Sequence, residues 1–521
     1  MNFSNFPLVP WTMRSCYHEY IERSGGLLMS HSILHRLLPF GGSPRTRHCL
    51  PMPGYSSASN YLPRHSHSVG SNHVNGVMAI RHIRSLLLAL VCLGDVSSVL
   101  AGQVQNSSIT LPSDAAQNRG SVVNILATSY NSYLQFALPH DDLAPISESF
   151  VDSHNGWGAS IVDALTMLFL IDQPDVFESA VNYTATIDFS MSNTDSTVSV
   201  FETTIRYMGS MLSAYELSGN AFPALITQAE TLANKLSAAW VGSNAVPFGE
   251  VDFSSNQPSI ATSNVAEAGT LTLEWSRLAE YTGNDIFRQL AENSVRLIAN
   301  NPAPIPGIPA QGIDPSSGSP VGDFVTWGGG TDSYLEYLIK YARITNTDDN
   351  LFADTWSTAV DSSIRTLART STVGNFQYLA DLNNGQISHV GSHLACFFAG
   401  NWLLGGKLTN NDTIVNFALA ANDACWNTYA STATGIGPEA FGYISSDGDS
   451  GTSPSQSDLE FYDEHGFFIL PGDSFYDMRP EVLESNFYAW RVTGDTKYYD
   501  RAVSAMNSFN EFLRAGVAYA P

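Results

Sequence analysis

An apolar helical period, broken at intervals by the same glycine stop, constrains this chain more than any other feature. Phe201, Ile205, Met208, Leu212 and Tyr215 step by 4, 3, 4 and 3, which is one apolar stripe on a helix. Helices of this kind end at Ser218-Gly219-Asn220, Thr282-Gly283-Asn284 and Thr493-Gly494-Asp495, where glycine suits the left-handed position that closes a helix. Each stop follows an acid at or near a helix start, at Glu202, Glu267 and Glu481. The landmarks Gly156, Glu202, Glu267, Asp332, His393, Glu439 and Glu481 lie 46, 65, 65, 61, 46 and 42 residues apart. Each gap accommodates a helical hairpin and a loop. A ring of hairpins whose inner helices all start at one rim would bring these residues to one mouth, so the expected fold is an all-α toroid. An irregular helical solenoid has the same repeat. The loops 241–264, 301–330 and 444–476 are long and rich in Gly, Pro, Ser and Asn, as in loops that build binding sites. No linker divides 120–515.

Charge separates the chain into two parts. Residues 1–101 hold 8 Arg, no Lys, 3 acids and 8 of the 13 His, which leaves 16 bases against 46 acids in 102–521. So acidic a body is a poor partner for nucleic acid or an anionic membrane and suits a neutral substrate such as a sugar. Residues 78–101 carry a basic start at Arg81 and Arg84, a short apolar run from Ser85 to Leu93 and small residues at Val99-Leu100-Ala101. This pattern is that of a secretory signal peptide, too short for a stable membrane span. Met78 is then the expected true start. Residues 1–77, with no sustained period, read as an upstream gene-model artefact or a disordered segment. The mature domain is 102–521.

That domain keeps two cysteines, Cys396 and Cys425. In a secreted chain they suggest one disulfide, the alternative being two buried thiols. Sequons at Asn106, Asn182 and Asn411 fit the secretory route.

The chemistry is read from the acids. In MRPEVLESNFYAW, Pro480 suits the first helical position, Asp477 is a possible cap, and Glu481, Glu484 and Tyr488 share a face beside Arg479. In GGGTDSYLEYL, three glycines permit close backbone approach before Asp332, and Asp332 and Glu336 share a face among tyrosines, which favours a raised pKa. Glu202 precedes Arg206 by one turn, either as a general acid held by arginine or as a plain helix ion pair. Glu439 follows Gly437-Pro438 as another first-turn acid. Acids at helix starts are favoured by the dipole in any case, so the set carries more weight than any member. His389 and His393, four residues apart, could suggest a metal pair, but without HExxH a site-lining or structural role is preferred. Carboxylates converging from separate helices are what glycosidic bond cleavage requires.

Taken in order, GWGASIVDAL (156–165), FETTIRYMGSMLSAYELSG, VAEAGTLTLEW, VGDFVTWGGGTDSYLEYLIK (321–340), SHLACFFAGNWLLGG (392–406), GIGPEAFGY and MRPEVLESNFYAWRVTGD resemble the family 47 glycoside hydrolases, the class I α-1,2-mannosidases, and most closely the secreted fungal ones. The resemblance spans about 120 to 510. It implies an (α/α)7 barrel, bound calcium, and inverting hydrolysis of terminal α-1,2-linked mannose on high-mannose N-glycans; a monomer in the secretory pathway is expected. It assigns the proton donor to Glu202, further catalytic acids to Asp332, Glu439 and Glu481, and the base to Glu481. It assigns substrate-binding or site-lining positions to Arg206, Glu267, His393, Arg479 and Glu484, and a disulfide to Cys396 and Cys425. An inverting enzyme needs its acid and base roughly 6.5–9.5 Å apart, so that a water fits between base and sugar. Two departures stand out. The family chain is expected to run on beyond FNEFLRAGVAYAP, through a helix with a Glu-bearing motif, to a threonine that coordinates calcium, so the final helices and that metal ligand are expected to lie outside these residues. Thr166 stands where the family often has Asp. A non-catalytic mannose-glycan-binding or quality-control protein is therefore the alternative reading.

Overall fold

The computed structural model describes residues 102–345 and 349–520. The signal segment 78–101 and residues 1–77 lie outside the described residues.

Fourteen helices organise the domain: α1 (Ala115–Phe136), α2 (Leu165–Leu170), α3 (Pro174–Thr184), α4 (Gly209–Leu217), α5 (Pro223–Leu236), α6 (Thr272–Thr282), α7 (Asp285–Asn300), α8 (Asp332–Thr345), α9 (Leu351–Thr366), α10 (Phe397–Leu408), α11 (Asp412–Ala430), α12 (Gln456–His465), α13 (Glu481–Thr493) and α14 (Lys497–Ser508). Consecutive helices pack as hairpins: α2 with α3, α4 with α5, α6 with α7, α8 with α9, α10 with α11, and α13 with α14. The first members also touch in turn, α2 to α4, α4 to α6, α6 to α8, α8 to α10 and α10 to α13. They are six inner helices of an (α/α)7 barrel, and their partners lie in the outer layer. Helix α1 joins the outer layer beside α14, where the Asn118 amide donates to Tyr499 Oη at 2.7 Å.

Burial separates the two rings as composition requires. In α10 every residue except Lys407 is buried, and in α8 Tyr334 to Ala342 are buried without a break, as expected of helices covered on all sides. Helix α7 buries only Phe287, Ala291, Ser294, Val295 and Ile298, a single face. Two large clusters fill the space between the rings. One is built around Trp157, Tyr207, Met211 and Trp275, and the other around Trp327, Tyr341, Trp356 and Trp402.

Short strands gather at the mouth and deliver the chain into the inner helices. Three-stranded sheets place Val198–Ser199 immediately before Glu202, Ser263–Asn264 before Glu267, and Val390–Ser392 before His393. The expected stops are present: Gly219, Gly283 and Gly494 have φ of 68°, 73° and 77°. The stripe 201–215 is not one regular helix. A single helical turn at Val200–Glu202 passes into a π-helical stretch at Thr203–Met208 before α4, a widening that often marks functional sites. Phe201 and Ile205, at the start of the stripe, line the mouth.

Cys396 and Cys425 form a disulfide that ties the turn before α10 to α11. Among the sequons, Asn182 and Asn411 are exposed, whereas Asn106 Nδ2 donates to the Thr493 carbonyl at 2.7 Å. Thr166 is buried, donating to Ser213 Oγ at 3.0 Å. Among the described residues no helix is long and apolar enough to cross a membrane.

Candidate active site

The mouth opens into a cavity of about 410 Å³ whose wall includes Glu202, Arg206, Glu267, Asp332, Glu336 and Glu481. Each acid arrives there by its own local device. Ser199 Oγ caps the first turn by accepting from Glu202 N at 3.1 Å, and Asn264 does the same for Glu267 N at 2.9 Å. Asp332 is the first residue of α8. The glycines before it act as expected, since Gly330 has φ 85° and its carbonyl accepts from Ala266 N at 3.0 Å; a Cβ there would sit 2.6 Å from Gln311 Nε2. Glu481 opens α13. Pro480 takes the position before it, and Asp477, expected as a cap, instead lies 3.6 Å from Arg479 Nη2.

On one wall, Glu202 Oε2 accepts from Arg206 Nε at 2.7 Å, and Arg206 Nη1 is 4.0 Å from Asp163. His154 Nε2 stands 3.9 Å from the same Glu202 oxygen. On the other wall, Asp332 accepts from Ser333 N at 2.8 Å. Burial pushes its carboxyl up to about 7, and the neighbouring charges of Glu336 and Glu481 add to the rise. Glu336 and Lys340, one helical turn apart and both buried, are joined by a hydrogen-bonded ion pair. Glu481 Oε2 lies 3.0 Å from His393 Nδ1, whose Nε2 is 2.6 Å from Tyr429 Oη. His393 is thus buried between Glu481 and Tyr429 and is no part of a pair with His389, which stacks on Tyr443 and faces Asp447 at 3.0 Å.

Glu439 differs from expectation in two ways. It precedes a strand, Ala440–Gly442, and is no helix start, because Gly437-Pro438 leads the chain into the three-stranded sheet. Its carboxylate faces the guanidinium of Arg479 with both oxygens, at 2.8 and 2.7 Å, so it holds a wall residue and is not itself among the cavity-lining residues. Glu484, one turn inside α13, is buried and likewise set back from the wall.

Beyond the expected residues, Asp163, the pairing of Glu336 with Lys340 and the loop before α2 belong to the site's surroundings. Asp163 lies inside GWGASIVDAL, so the motif itself held the signal. Lys340 gave none, since a lysine four residues after a glutamate reads as an exposed pair. Among the described residues no three His, Cys, Asp or Glu side chains form a group able to hold a metal ion directly.

The family model for "Glycosyl hydrolase family 47" matches residues 125–521. The chain is 37% identical over 453 residues, 83% of its length and 86% of the relative's, to the probable mannosyl-oligosaccharide alpha-1,2-mannosidase 1B of Aspergillus niger. It is 37% identical to the mannosyl-oligosaccharide alpha-1,2-mannosidase of Coccidioides posadasii, covering 79% of this chain and 81% of that one. The solved alpha-1,2-mannosidase from Trichoderma reesei superposes with a TM-score of 0.75 at 36% identity, over 78% of this chain and 87% of that one. With this match in sequence and in architecture, the chain belongs to glycosyl hydrolase family 47 and is a glycoside hydrolase.

Proposed function

We propose that the protein is a mannosyl-oligosaccharide 1,2-α-mannosidase that removes terminal α-1,2-linked mannose from high-mannose N-glycans with inversion. The observation that carries this reading is the convergence of Glu202, Glu267, Asp332 and Glu481, from four separate helix starts, on one cavity. In this reading Glu202 gives its proton to the departing glycosidic oxygen. Glu481 takes a proton from a water attacking the anomeric carbon on the opposite face. The contact with His393 fixes the Glu481 carboxylate and Tyr429 fixes His393. Asp332, with its carboxyl up at about 7, holds a proton near neutrality and donates it in a hydrogen bond to a sugar hydroxyl. Arg479, braced by Glu439, and Arg206 supply fixed donors to the sugar ring, Glu267 adds a further wall carboxylate, and Glu484 lies buried behind the wall.

The family resemblance also implies calcium. The described side chains do not fit an ion held directly by acids and histidines, so no step here is routed through it. The sequons and the signal-like segment support action in the secretory pathway. The test is mannose release from a high-mannose N-glycan by residues 102–521, with calcium and with chelator. Calcium-dependent release supports the reading. Binding of the glycan without release, unchanged in Glu481→Gln, would replace it with the glycan-binding alternative.

A further inference from the structure

Behind Glu202 runs a line of polar groups that hydrolysis as described does not use. Asp141 clamps the loop before α2: its Oδ2 accepts from His154 N at 2.8 Å and Gly156 N at 2.7 Å, and its Oδ1 accepts from Gly158 N at 2.9 Å and Ala159 N at 3.0 Å. From the other side Tyr207 Oη donates to the His154 carbonyl at 2.8 Å. The backbone of His154 is thus fixed from two elements. Its side chain is only 10% exposed. Nδ1 is 2.6 Å from Ser153 Oγ, and the Ser153 hydroxyl is hydrogen-bonded to the Asp142 carboxylate.

Arg206 sharpens the need for such a line. A guanidinium stabilises a carboxylate, whereas a proton donor must be a carboxylic acid when it acts. Once Glu202 has given up its proton it stays paired with Arg206, and a glycan filling the mouth separates it from bulk water. We propose that Asp142, Ser153 and His154 form a proton relay that recharges Glu202, with His154 as the residue that positions and delivers the proton. The inference rests on Glu202 being the proton donor.

The transfer balances. The Asp142 O–H bond breaks as a Ser153 Oγ–H bond forms. The original Ser153 proton passes to His154 Nδ1. The proton on His154 Nε2 passes to Glu202, which becomes the acid while Asp142 becomes the carboxylate. Each end state has its own imidazole tautomer. With Asp142 ionised, Ser153 donates to it and accepts from Nδ1–H, so the Nε2 lone pair faces a protonated Glu202. The 3.9 Å between Nε2 and Glu202 is open in the free enzyme, as catalytic hydrogen bonds often are before substrate closes them. The surroundings suit the task. Burial pushes Asp142 up to about 7, against the Ser153 hydrogen bond and with help from Asp141. Burial and then Arg206 disfavour a second proton on His154, against the charges of Glu202, Asp141 and Asp163. The ring therefore stays neutral and able to pass a proton.

The test is kcat and KM against pH on α-1,2-mannobiose, repeated across H2O–D2O mixtures, for the wild type, Ser153→Ala, Ser153→Thr and Glu202→Gln. The relay predicts that Ser153→Ala lowers kcat about tenfold with KM nearly unchanged. It also predicts that the alkaline limb moves down by about one pH unit and that a curved proton inventory becomes linear. Ser153→Thr, which keeps the hydroxyl, restores all three. If Ser153→Ala leaves kcat, the limb and the inventory at wild-type values while Glu202→Gln is inactive, the relay is wrong and the donor assignment stands. If Glu202→Gln is fully active, the donor assignment itself falls and takes the relay with it. Should Ser153→Ala not fold, Asp142→Asn carries the same three readouts.

Discussion

The two walls of the cavity are built from the same part, a carboxylate at the start of a helix, yet they place their cations differently. On the Glu202 wall a guanidinium meets the carboxylate directly, and the π-helical stretch at Thr203–Met208 brings Arg206 and Tyr207 into place. On the Asp332 wall the cation is one turn deeper, where Lys340 pairs with Glu336, and Asp332 itself is left with a proton near neutrality. Asp332 keeps its proton chiefly because it is buried, with the charges of Glu336 and Glu481 adding to the rise, and its position along the helix does not decide it. Glu481 shows a third solution, with a histidine as its partner.

Removing the acids tests this comparison most severely. Glu202→Gln and Glu481→Gln should each lower kcat by about 10³-fold with folding intact, because each removes one proton transfer. Equal and small effects would erase the distinction between the walls. Lys340→Met should destabilise the domain by about 3 kcal/mol in a denaturant titration, since it leaves Glu336 buried and uncompensated. Arg206→Met on the more open wall should cost well under half of that, and comparable losses would contradict the contrast.

Asp332→Asn tests the proton. Asp332 is raised from 3.8 to about 7 in the folded protein, so between those values the native state binds more protons than the unfolded one. Stability contributed by this group is complete at low pH and is lost as pH rises through that window. Asp332→Asn should therefore gain about 2 kcal/mol at pH 8, less than the full shift would give because the carboxyl faces an open cavity, and should melt with a shallower pH dependence. Asp142 and Asp381, raised to about 7 by burial, keep the slope from vanishing. The smallest effect is expected at the far end of the second wall. Asn106→Ala removes the bond to the Thr493 carbonyl at the close of α13 and should cost about 1 kcal/mol.

The sequence carried the inner helices through their terminators, Gly283 and Gly494, whereas the caps Ser199 and Asn264, which open the short turns at Val200–Glu202 and Val265–Gly269, were not singled out. It carried Glu439 less well, since a first-turn acid after Gly-Pro looks the same whether the chain continues as helix or pairs with distant strands, here Val390–Ser392 and Phe468–Ile469. The Asp141 clamp and the buried Lys340 were illegible for one reason. Their meaning comes from which backbone amides and which neighbouring helix surround them, and neither is a property of local spacing.

The most direct test of the central claim follows the anomer of mannose as it is released from α-1,2-mannobiose, by proton NMR in the first minutes of reaction. Carboxylates on opposite walls with a water between sugar and base predict β-mannose first, with the α anomer growing in only by mutarotation. Appearance of α-mannose first would mean that a wall carboxylate attacks the sugar itself, and the division of roles between Glu202 and Glu481 would be wrong.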